Sequence, residues 1–197
     1  MKTGRNTLSR AGAALAALTG VGGLLLAGGG IAHAAGTTGT ASVGITAGPL
    51  TLISAPNLTW SGTLNGTPLA LSTTGGLDVS DATGSGAGWQ VTLVTTQFTD
   101  TNGDTLPTSA ASIPSAPTVA CDPTATDCVP ATASSTVSYP YAVQVGAAGA
   151  ATTMFGANVG TGMGDQTVTS TFDLAVPSTA KPVTYTSTWT YTLESAP

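Results

Sequence analysis

Few side chains in this sequence can do chemistry, and their spacing narrows what that chemistry could be. The closest carboxylate pair is Asp78 and Asp81. Two carboxyls flanking a glycosidic bond can serve as acid and as base or nucleophile. Only small residues follow each of these two, and nothing marks either as an acid of raised pKa. Asp81 instead fits a turn cap, its side chain accepting from backbone N–H groups of the glycine-rich stretch that follows. Asp100, Asn102 and Asp104 place oxygens at alternate positions, like the opening of an EF-hand loop. The rest of that loop is missing, since Thr105 stands at the sixth position and Ala111 at the twelfth. The expectation here is a turn at Asn102-Gly103, with calcium binding at residues 100–104 the reading left open.

Other catalytic arrangements fail on composition. His33 is the sole histidine and lies in a segment expected to be removed, so Ser-His-Asp and Cys-His sets are excluded from the mature chain. The glycine run at residues 84–88 leads into a strand and lacks a Lys, unlike a phosphate-binding loop. Cys121 and Cys128 are the only cysteines. In an exported chain such a pair reads as a disulfide, closing a small loop. A zinc site needs more soft ligands than these two. No enzyme activity, metal or cofactor is expected.

Aromatic rings are the remaining candidates. Trp60, Trp89, Trp189 and Tyr191 could stack on sugar faces. Their spacing also suits a core. Trp89, Val91 and Leu93 share one face of a period-two run, with Gln90 and Thr92 on the other. Tyr185, Trp189, Tyr191 and Leu193 share a face of the last such run, backed by alternating threonines. The expectation is that both aromatic rows are core, with ligand contact the alternative.

The elements that must position these residues are strands. Residues 1–35 read as a secretory signal peptide: Lys2, Arg5 and Arg10, then an apolar run, then the small-x-small site Ala32-His33-Ala34. No cysteine suits lipidation there, and no membrane anchor is expected at either end. Removing the leader leaves Lys181 alone against nine acidic residues, a formal charge of −8. Such a chain is a poor partner for nucleic acid or anionic membranes, so neither is expected. Residues 36–48 read as a flexible Gly/Thr/Ala lead-in.

Residues 49–197 read as one domain. Strands are expected at residues 50–53, 58–60, 69–71, 77–80, 89–93, 137–145, 168–176 and 184–193. Residues 107–135, rich in Pro, Ala, Ser and Thr, read as a long loop. No helical period appears after the leader. The fold class is therefore all-β, a single antiparallel β-sandwich or barrel-like sandwich.

Two stretches carry a family resemblance. Asp81, the glycine-rich turn and Trp89-Gln90-Val91 resemble the mid-chain motif of WxL domain surface proteins of Gram-positive bacteria. The closing strand, with Trp189 and Tyr191-Thr192-Leu193 before a final Pro, resembles that family's second motif. Val91 stands where the family has Leu, and Tyr191 where it has Trp. The resemblance spans roughly residues 50–197 by strand pattern. It implies a secreted, non-catalytic protein at the cell surface, held noncovalently on the cell wall through peptidoglycan. Cell-wall glycan or peptide is then the partner. The alternative is a secreted structural or adhesive subunit that self-assembles or binds other surface proteins. The sequence sets no oligomeric state.

The leader gives a direct prediction. Mass spectrometry of the exported protein should find a mature N-terminus near Ala35 or Gly36. Retention of residues 1–32 would contradict it.

Overall fold

The computed structural model describes residues 39–196; the signal peptide and the first residues of the lead-in lie outside them. Threonine alternating with aliphatic or aromatic residues favours extended backbone and gives each strand one apolar face. Nine strands form among the described residues: β1 (Leu50–Ser54), β2 (Leu69–Asp81), β3 (Trp89–Thr95), β4 (Ala111–Ile113), β5 (Thr118–Cys121), β6 (Tyr141–Ala142), β7 (Thr152–Ala157), β8 (Gly164–Val176) and β9 (Trp189–Ser195). They make two antiparallel sheets in a sandwich-like arrangement. The larger runs β1-β2-β8-β4-β6, with β5 also on β8, and the smaller runs β7-β3-β9.

The spine of the larger sheet is the ladder between β2 and β8. It pairs thirteen residues of each, from Leu69 opposite Val176 to Asp81 opposite Gly164. Leu77, Val79, Val168, Phe172 and Leu174 of its inner face are buried. They meet Trp89, Val91 and Leu93 of β3 and Met154 and Phe155 of β7 in one core. Residues 44–196 belong to a single unit.

The all-β expectation holds, and the structure revises several strands. Residues 69–71 and 77–80 belong to the single long β2, which runs straight through Gly75 and Gly76. Gly75 answers a need for close approach, not a turn. A Cβ on Gly75 would sit 2.6 Å from Pro56 and 2.8 Å from Leu58, which cross over the sheet there. Residues 58–60 form no strand, because this crossing segment lies over the face of β2 and joins no ladder.

Residues 107–135 are not one long loop. They contain β4 and β5, both paired with β8. Strands of three and four residues are too short to show a period in such a composition. β7 also escapes the sequence pattern. Its last four residues are all buried, and the chain at Ala133 and Ser134 pairs with its outer edge at Ala157 and Gly156. A strand covered on both faces loses its alternation. Residues 137–145 shrink to the two-residue β6 at the end of its sheet, after Pro140, which lacks an N–H for the ladder. Tyr139 and Tyr141 pin this region to β7, their hydroxyls donating to the carbonyls of Met154 and Thr152 at 2.6 and 3.0 Å. Burial and the neighbouring Tyr141 push the Tyr139 hydroxyl up to about 12.

Cys121 and Cys128 are joined in a disulfide. Cys121 ends β5 opposite Gln166. Beyond Cys128, Val129 N–H donates to Met163 O and Gly162 N–H to Val129 O, both at 2.9 Å. Ala131 N–H then donates to the buried Gln166 Oε1 at 2.8 Å. The bond thus closes a turn that lies beside the first residues of β8 but contributes no residue to the β2–β8 ladder itself. Reduction should raise amide exchange in residues 122–135 and leave β2 and β8 protected. The loss of global stability should not exceed the about 2–3 kcal/mol that chain entropy assigns to so small a ring. Early loss of protection across β2 and β8 would contradict this.

Candidate functional site

The two motif strands lie side by side. β3 is the centre of the smaller sheet and pairs with β9, so that Val91 faces Leu193, Leu93 faces Tyr191 and Thr95 faces Trp189. Trp89 is fully buried, its ring 5.6 Å from Phe155. Its Nε1–H donates to Gly162 O at 2.8 Å, so the one polar atom of the indole is satisfied inside the fold. That contact needs glycine at 162. Its φ is +80°, and a Cβ there would stand 2.6 Å from the indole nitrogen. Val91 is equally buried.

Asp81, also buried, opens the turn into β3. Thr83 N–H and Oγ1–H donate to its Oδ1 at 3.0 and 2.7 Å. Ser85 N–H donates in turn to Thr83 Oγ1, and Gly160 N–H to Gly86 O. Asp81 and its turn therefore carry the chain from the large sheet to the small one and deliver Trp89 to the interior. Asp78 lies on the opposite face from Asp81, as residues three apart on a strand must, so the two carboxyls do not converge.

At β9 the apolar face is less covered. Leu193, Tyr191 and Trp189 are half-buried. The Tyr191 hydroxyl is buried without a hydrogen-bond partner, and burial holds its pKa well above the usual range. Trp189 stacks on Tyr191 and meets Phe172, Phe98 and Trp60 at ring distances of 5.6, 6.5 and 6.0 Å.

Trp189 and Trp60 border a groove of about 990 Å³. Its floor is the end of the large sheet, with Leu69 and Leu71 of β2 and Leu174 and Val176 of β8. Residues 56–64 form one wall and residues 182–188 the other. Trp60 Nε1–H donates to Phe172 O at 3.1 Å, so the side chain is anchored and offers the groove only carbon. The volume is at the upper end of that typical for small-molecule sites.

The mouth of the groove holds the one lysine of the described residues. Lys181 Nζ meets both oxygens of Asp104, at 2.7 and 2.6 Å, and that partner raises the ammonium's pKa. Asp100 turns inward on its own loop, accepting from the N–H groups of Asn102 and Asp104 at 2.9 and 2.7 Å. Residues 100–104 are thus a turn with both carboxylates engaged. Among the described residues no three His, Cys, Asp or Glu side chains cluster so as to hold a metal.

A family model for WxL domain surface cell wall-binding proteins matches residues 37–197. The chain belongs to the WxL domain family. No curated protein and no solved structure matched it. The WxL match covers both sheets, the buried Trp89 strand and the groove. Membership implies a cell wall-binding surface protein.

The groove is what sequence reasoning missed. The pattern at residues 58–60 places Trp60 on a strand, whereas Pro56, Gly62 and Asn65-Gly66 lie close enough together to signal the irregular segment that forms. Trp89 and Trp189 share a motif pattern but not an environment, since one is enclosed and the other borders the groove. Trp89→Ala should cost about 3–5 kcal/mol, because it removes a buried ring and leaves both a cavity and an unpaired Gly162 carbonyl. Thermal or denaturant unfolding measures this. An unchanged melting temperature with lost wall binding would instead make Trp89 a ligand contact.

Proposed function

We propose that this WxL domain is secreted, associates noncovalently with the peptidoglycan of the cell wall and has no catalytic activity. The observation that carries the reading is the groove bordered by Trp60 and Trp189, on a chain of the WxL family. It is concave, aromatic and anchored on the β2–β8 spine. Its lining includes no carboxylate and no histidine, and its single lysine is tied to Asp104. Those are the features of a binding surface and leave no acid–base pair with which to cleave a bond. The motif residues Trp89, Val91 and Asp81 support the reading indirectly, by holding the strands that present the groove.

The charge sets the character of the contact. A mature chain at −8 is repelled by anionic wall polymers, so affinity rests on hydrogen bonds and aromatic contacts to neutral groups. One observation favours the structural-subunit reading. Val43 and Ile45 of the lead-in are 82% and 88% exposed, and β1 and β9 each have a single partner in their sheets. An open edge and an extended apolar segment can pair between copies.

Co-sedimentation of the mature chain with washed cell walls across a salt series separates the two. Wall association should persist as salt rises, because screening removes repulsion and no ion pairs with the wall are lost. Protein that stays in the supernatant at every salt while forming filaments would favour the subunit reading. Binding that collapses with salt would contradict neutral contacts.

A further inference from the structure

We infer that the groove between residues 56–64 and 182–189 is a subsite for a neutral, N-acetylated glycan chain, with Trp60 and Trp189 as its apolar contacts. The inference rests on the wall-binding reading and names which wall component the groove holds. The lining is divided in a way that matches a sugar. Its floor and aromatic border are carbon, from Leu69, Leu71, Trp60 and Trp189. Its margins carry hydroxyls on the exposed Thr59, Ser61, Thr63 and Thr184. A pyranose ring has the same division, with an apolar C–H face and a polar edge. The acetamido methyl adds a further apolar group for the floor.

Charge argues against the other occupants. A wall peptide brings carboxylates and amines, and the lining offers one charged side chain, already held by Asp104 at 2.6 Å. Each peptide charge brought into the groove would lose water without gaining a counter-charge. A phosphate-bearing polymer meets the same obstacle and the chain's net negative charge. A neutral glycan loses little, because hydroxyls at the rim replace the water on its edges.

The probe is a β-1,4-linked N-acetylglucosamine tetramer, titrated into the mature chain by calorimetry and by tryptophan fluorescence. The wild-type chain should bind it. Ser61→Glu places a charge at an exposed position of the wall and should weaken binding by about tenfold or more without moving the melting temperature. Trp60→Ala should weaken it similarly, its melting temperature being followed alongside because it also frees the Phe172 carbonyl. Tetramer binding that neither variant alters would overturn the placement in the groove. A wild-type chain that sediments with walls yet ignores the tetramer would overturn the glycan assignment and leave the wall reading in place. A chain that does neither would overturn both.

Discussion

Burying one indole without stranding its N–H is the constraint on which this fold depends. Trp89 opens the central strand of the small sheet with no exposed surface, and its nitrogen finds the Gly162 carbonyl at 2.8 Å. The partner lies seventy-three residues away, in the turn that leads into β8. The contact therefore ties the start of the small sheet's central strand to the start of β8, one of the large sheet's two longest strands. Glycine at 162 is required for the approach. The Asp81 turn is required for the entry, since β2 ends in one sheet and β3 begins in the other. The disulfide between Cys121 and Cys128 secures the neighbouring chain, where Val129 pairs with Met163 and Gly162.

This arrangement separates a closed end of the sandwich from an open one. Around Trp89 the sheets are sealed by Phe155, Met154 and Val91. At the other end, Leu69, Leu71, Leu174 and Val176 line the groove. The crossing segment around Pro56 and Leu58 covers part of that face and carries Trp60 to the edge of what remains open. The same β2–β8 ladder thus supplies core at one end and lines the groove at the other. A rigid ladder under an irregular wall suits recognition, because the floor is fixed before any ligand arrives.

The sequence made the fold class and the two aromatic rows legible, and for a physical reason. Trp89, Val91, Leu93 and Phe172, Leu174, Val176 lie on strands with one face buried, where period two must appear. The same logic explains what was illegible. β7 is buried on both faces, so Met154 and Phe155 stand adjacent and alternation vanishes. β4 and β5 are too short to show any period. Gly75 falls between two expected short strands, yet it serves the close crossing of Pro56, a contact no local pattern reveals. The Asp81 turn was legible because an Asx turn is local, with donor and acceptor two residues apart. The groove was not, because Trp60 and Trp189 are brought together only by the sheet packing.

Trp89 is enclosed within the fold, whereas Trp60 and Trp189 border the groove proposed to hold the glycan. The most direct test is NMR of the three indole N–H groups in the mature chain, with and without soluble wall fragments. The account predicts that the Trp89 indole exchanges with solvent only through global unfolding and keeps its chemical shift when fragments are added, while the Trp60 and Trp189 signals move. Exchange at Trp89 faster than global unfolding, or a fragment-induced shift at Trp89 with the other two unmoved, would contradict it.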